Sequence, residues 1–260
     1  MKKRTSLFKI SAHELRAGFS PKQLIAIAVI ALLPLFSARR WLSLSPERAT
    51  IGDYFMQYFL GAQPFEHLSK DNVFPVIWLL EVTIMLLVNM NFTSGSFSFY
   101  GFQTIVRSGS RRRWWGAKCI SLALCCAIEI IVLYAVIALL ALAFGAGSTL
   151  KIAASELAGG QSALWLLLLP ALTFMALNAL QSLMSLFVKP AIGFFITLCV
   201  PIASVYFSTP ALIGNCLMAL RMQPFSPGGL SPAQGIAANV VVIAAAVTAG
   251  MVRVSRVNFI

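Results

Sequence analysis

The chain has 260 residues, of which 59% are hydrophobic and 11% charged, and 20 lysines and arginines against 8 acids give it a formal net charge of +12. Soluble domains carry about 25% charged residues, so this composition excludes a water-soluble enzyme and implies an integral membrane protein. So basic a chain also suggests a nucleic-acid binder, but the charge is split among four segments and no basic domain is present to hold a duplex.

Residues 5–20 form an amphipathic unit. Phe8, Ala12, Leu15 and Phe19 recur at helical spacing, with Lys9, Glu14 and Arg16 at polar positions, which predicts a helix lying flat on the inner membrane surface. Lys2, Lys3 and Arg4 resemble the start of a signal peptide, but Glu14 precedes any apolar run and no small-residue cleavage site follows, so no cleavable leader is expected.

Apolar runs that can cross a bilayer, which takes roughly 17 to 25 residues, fall at 23–38, 73–89, 117–144, 163–188, 191–207 and 235–252. The first is short unless Ser20 caps the helix and Pro21 occupies its first turn. Six spans place both termini on one side. With that side cytoplasmic, it holds fourteen of the twenty lysines and arginines, as expected where basic loops are retained inside. The outer side keeps Arg39, Arg40, Arg48, Lys70, Lys151 and Arg221 together with most of the acids.

The first outer region, 39–72, is the longest, and its aromatic run 51–60 is expected to cover the mouth of a pathway. Two carboxylates fall inside spans, Glu81 in the second and Glu129 in the third. An acid at bilayer depth costs about 2.5 to 3.5 kcal/mol on insertion scales, so each requires a partner or water, either as pathway lining or as a protonated packing contact. After Asn89 the chain continues through Phe97, Phe99, Tyr100, Phe102, Ile105 and Val106, an apolar surface suited to docking in a partner's groove. The run 107–118 then brings Arg107, Arg111, Arg112, Arg113 and Lys118 beside Trp114 and Trp115. Ser110 is the expected cap of the third span, and the two indoles are expected to anchor in the headgroup belt.

In the fourth span Asn178 and Gln181 share a helix face, as candidate pathway lining or as interhelical glue. Pro170 and Pro201 permit kinks. Between the fifth and sixth spans, the apolar segment 211–222 is too short to cross; it reads as a re-entrant or interfacial helix or as a surface loop. Cys119, Cys125, Cys126, Cys199 and Cys216 lack zinc-like spacing and are expected to be buried free thiols.

This order of parts resembles the ABC-2 type permease family, the membrane subunits of bacterial ATP-binding-cassette exporters. The likeness is carried by the amphipathic leader helix, six spans, a cytoplasmic element between the second and third, the Lys189-Pro190 turn, short outer helices between the fifth and sixth, and the run 107–118. It implies that residues 97–113 couple to an ATPase. Phe99, Tyr100, Phe102, Gln103, Ile105, Arg107, Arg111, Arg112 and Arg113 are the contacts, with 99–107 as the coupling helix. It also implies two permease halves, identical or related, and two ATPases.

No Gly-Lys pair occurs in the chain, so it has no phosphate-cradling loop of the Gly-x-x-x-x-Gly-Lys type, and ATP would be bound by the partner subunit. An intramembrane enzyme is disfavoured because His13 and His67 lie outside the spans and no paired acids or Gly-x-Ser-x-Gly occur. The expected protein is therefore a single all-α transmembrane domain, 1–260, in the bacterial cytoplasmic membrane. It is expected to have six transmembrane helices and an N-terminal interfacial helix, no catalytic residues, and no cofactor or metal of its own. It would export a hydrophobic or amphipathic cargo, peptide or lipid-like. The alternative is a non-transporting membrane scaffold or immunity protein.

Overall fold

A computed structural model of the chain describes residues 6–44, 49–63, 74–93, 109–154, 162–223, 225 and 228–256. Among these residues the secondary structure is helical, with isolated bridges but no sheet. The α-helices are α1 (Leu7–Gly18), α2 (Pro21–Leu42), α3 (Ile51–Tyr58), α4 (Val76–Leu87), α5 (Arg111–Ala143), α6 (Leu164–Met184), α7 (Pro190–Tyr206) and α8 (Pro232–Arg256).

Four of them, α2, α5, α6 and α8, are long and apolar enough to cross a membrane. Helices α4 and α7 are apolar but have 12 and 17 residues, or about 18 and 26 Å against a hydrocarbon core of about 30 Å. The second apolar run therefore does not become one long helix: it starts only after Pro75 and gives way to turns at 88–93.

Capping chemistry sets the helix starts. The Ser20 backbone N–H donates to Gln23 Oε1 (2.8 Å) and Pro21 opens α2, which closes a capping box. Gln23 Nε2 donates in turn to Val88 O (2.7 Å), tying the start of α2 to the end of α4. Ser110 Oγ accepts from Arg113 N (3.2 Å), so the arginine cluster forms the first turn of α5 rather than a loop. This 33-residue helix, about 50 Å long, is the axis of the bundle, and α1, α2, α3, α6 and α8 all pack on it.

Three expectations are corrected by the packing. Trp114 and Trp115 are fully buried in protein rather than anchored among headgroups. Trp115 Nε1 donates to Val247 O (3.0 Å), and the indole lies where a side chain on Gly250 would stand, 2.3 Å from an ideal Cβ. The segment 211–222 is neither an exposed loop nor a regular helix. It forms two buried 3-10 turns, Ile213–Leu217 and Ala219–Arg221, between the ends of the bundle helices. Among the cysteines, all free, Cys125, Cys126 and Cys216 are buried, but Cys199 faces outward from α7 and Cys119 is half-buried.

The Trp115–Gly250 contact predicts that Gly250→Ala destabilises the protein by about 1 to 3 kcal/mol, the cost of overpacking. Gly116→Ala, which meets open space, should be neutral or mildly stabilising, since alanine is the better helix former. Thermal unfolding in detergent checks both.

Candidate functional site

Among the described residues, the buried polar groups sit inside the bundle at three levels. At one end, α3 is held by Asp53. Its Oδ2 accepts from Thr50 N (2.8 Å), and its Oδ1 accepts from Ala153 N (3.0 Å) and Ala154 N (2.9 Å). Nearly every residue of α3 is buried, so the aromatic run 51–60 is an integral layer of the bundle. Arg221, also buried, donates through Nε to Ala62 O (2.8 Å) and through Nη2 to Gln63 O and Val205 O (both 2.9 Å). It thereby binds the exit of α3 to the last turn of α7, where a positive charge suits the helix dipole.

Just below this layer, a cleft of about 540 Å³ opens between α2, α3 and the start of α4. Glu81 is its acidic group. The residue is 3% exposed, lies beside the Tyr58 side chain, and keeps a buried Oε1 without a partner among the described residues. Burial, and after it the neighbouring Glu81, holds the Tyr58 phenol well above its ordinary range, because a phenolate there would be both desolvated and beside a like charge. Tyr58 therefore stays a hydrogen-bond donor. Trp78 closes the wall and is fixed by its Nε1 donating to Leu217 O (3.0 Å), while Trp41 stands at the edge, 66% exposed.

The middle level is Glu129, fully buried on α5. Asn89 Nδ2 donates to Glu129 Oε2 (2.7 Å), and Cys125 Sγ lies 3.5 Å from Glu129 Oε1 and 3.6 Å from Asn89 Oδ1. Gln181 Nε2 donates to Leu86 O (3.0 Å), while Asn178 Nδ2 turns back to Phe174 O (2.9 Å) on its own helix. The four residues read as candidate lining thus separate. Glu129 and Gln181 join helices around the end of α4, Asn178 serves its own backbone, and Glu81 lines the cleft.

At the other end, Lys118 Nζ and Glu14 Oε2 form a buried ion pair at 2.9 Å. Trp114 Nε1 donates to Glu14 Oε1 (3.3 Å), Ser121 Oγ donates to Ser11 O (2.8 Å), and the Lys118 ammonium lies 4.2 Å from the Phe92 ring centre. Here the sequence reading of α1 is corrected. Glu14 points into the bundle and Phe8 is 78% exposed, because the lysine on α5 turns a nominally polar position into the contact face.

Of the coupling residues, Arg111, Arg112 and Arg113 lie on the first turn of α5, with Arg112 exposed. Phe99, Tyr100, Phe102, Gln103, Ile105 and Arg107 lie outside the described residues. Glu14, Tyr58, Asn89 and Lys118 were missed as site residues. The signal available for Lys118 was a lysine at the very start of an apolar run. Among the described residues no cluster of three or more His, Cys, Asp or Glu side chains is arranged to hold a metal ion. A family model described as "Protein of unknown function (DUF2705)" matches residues 24–259. No curated protein and no solved structure matches the chain.

Proposed function

The chain belongs to the family described as Protein of unknown function (DUF2705), and from its sequence pattern and helical packing we propose that it is a multi-pass permease subunit of an ATP-binding-cassette exporter. In this reading α4 and α7, with their flanking turns, complete six crossings alongside the four long helices. Both termini face the cytoplasm, and α1 lies at the inner membrane surface. A second permease half, identical or related, and a separate ATPase complete the transporter, which would move a hydrophobic or amphipathic cargo, peptide or lipid-like, across the bacterial cytoplasmic membrane. This chain carries no catalytic step.

The observation that best supports the reading is the buried Glu14–Lys118 pair. It clamps α1 to the base of α5 within two turns of Arg111–Arg113. The segment proposed to meet the ATPase, 97–113, feeds directly into that base. A displacement applied there would be carried by one continuous helix from the arginines to Glu129 and on to Tyr134, whose hydroxyl donates to Leu167 O (2.6 Å) beside the Pro170 position of α6. A rigid element with discrete packing partners at both ends is what mechanical coupling needs.

Native extraction tests the proposal, since the tagged chain should recover an ATP-binding-cassette ATPase. Charge reversal at Arg111, Arg112 and Arg113, or Phe102→Asp with Ile105→Asp, should lower chain-stimulated ATP hydrolysis by about tenfold or more through like-charge and desolvation penalties, with the protein still in the membrane. Extraction that recovers no ATPase would instead favour a non-transporting scaffold.

A further inference from the structure

We propose that the Glu81 cleft is a binding site for an organic ammonium group, so that the cargo proposed above is a cationic amphiphile whose charged head docks there; the cargo assignment rests on the permease reading. The cleft holds about 540 Å³, far more than a bare ion needs and enough for the head and proximal chain of an amphiphile. Glu81 lines it, a residue only 3% exposed whose carboxyl has a buried oxygen, Oε1, without a hydrogen-bond partner among the described residues. A buried, incompletely paired carboxylate is costly, and a cation is the ligand that relieves the cost.

The walls select the kind of cation. Tyr58, Trp78, Phe74 and Trp41 line the same space, and aromatic faces with one carboxylate recognise ammonium groups through cation–π attraction. A desolvated sodium or potassium ion would instead require several converging oxygens, and Glu81 is the only carboxylate among the described residues that line the cleft. Tyr58 neighbours the Glu81 carboxyl in the same wall. The lower wall is set by Trp78, held to the buried 3-10 turn through Leu217 O, and Gln57 adds a polar group at the mouth.

Intact protein in dodecyl maltoside, a detergent without a cationic group, is titrated with choline chloride and, separately, with its neutral isostere 3,3-dimethyl-1-butanol and with sodium chloride. Tryptophan fluorescence and thermal shift are the readouts. Choline should give a saturable response that neither control reproduces, and Glu81→Gln should weaken it by about tenfold or more, the loss expected when a charge-assisted contact is removed. Trp41→Leu, at an exposed position that folding tolerates, should weaken it by roughly threefold, the size of an exposed cation–π contact.

No saturation with choline, or an equal response to either control, would overturn the site even if Glu81→Gln proved unstable. Unchanged choline affinity in a folded Glu81→Gln protein would do the same. Choline binding by a chain that recovers no ATPase keeps the site and removes the permease reading; an ATPase recovered without choline binding does the reverse.

Discussion

Replacing Lys118 with methionine is expected to destabilise the protein by about 3 to 5 kcal/mol, the cost of leaving one partner of a buried ion pair uncompensated. For a chain of this length that lowers the unfolding midpoint by about 10 °C. Glu14 would keep the Trp114 N–H at 3.3 Å but lose the ammonium at 2.9 Å. The cost should come from the carboxylate's lost counter-charge rather than from lost packing, because methionine fills most of the lysine's volume. The double variant Glu14→Gln with Lys118→Met therefore recovers all but about 1 to 2 kcal/mol, since the amide still accepts from Trp114 and carries no charge. Circular dichroism melts of the single and double variants decide it. If both single substitutions are mild and additive, the pair does not hold α1 to the bundle, and the coupling role given to that contact loses its support.

How much of this was legible in the sequence depends on the distance over which each feature is decided. The start of α2 follows from Ser20, Pro21 and Gln23 within four residues, and the start of α5 from Ser110; both caps form as the local chemistry demands. The interhelical role of Gln181 was also readable, since a polar side chain in an apolar run has few alternatives but another helix. What failed were the positions decided by a partner a hundred residues or more away. Glu14 reads as a solvent-facing residue until Lys118 is placed beside it. Trp114 and Trp115 read as headgroup anchors until Glu14, Val247 and the open space at Gly250 are brought to them. Periodicity reports which face of a helix is apolar; it does not report that the facing element offers a charge or a notch.

The candidate site divides in the same way. Glu81 and Glu129 stand out in the sequence for one reason, a carboxyl among apolar residues, yet the fold treats them differently. Asn89 and Cys125 close around Glu129, and its level of the bundle is a packed network. The carboxyl of Glu81 lies beside Tyr58, from an element in another apparent loop, in the wall of the cleft, and its buried Oε1 has no partner among the described residues. Sequence spacing could flag both acids, but only the arrangement of α2, α3 and α4 separates a group joining helices from one facing a cleft.

The cleft exists because α3 is drawn into the bundle, and the residue that draws it in is Asp53. Asp53→Ala should cost about 3 to 4 kcal/mol. Loss of a helix N-cap box accounts for about 1 kcal/mol of that, and most of the remainder comes from the backbone N–H groups of Ala153 and Ala154, which lose the acceptor at 3.0 and 2.9 Å and cost about 1 to 3 kcal/mol when left unpaired in a half-buried site. Asp53→Asn retains an acceptor for those two donors but presents an amide N–H₂ to the Thr50 N–H in place of Oδ2, so about half of that loss is expected. The order alanine, asparagine, wild type in unfolding midpoint, with the tryptophan fluorescence of the Trp41 and Trp78 region shifting to the red only in the alanine variant, would show that this buried carboxylate sets the position of α3. An alanine variant as stable as the wild type would mean that aromatic packing alone, including Phe55 against Tyr134 at 5.4 Å between ring centres, is enough to hold the helix and the cleft wall it forms.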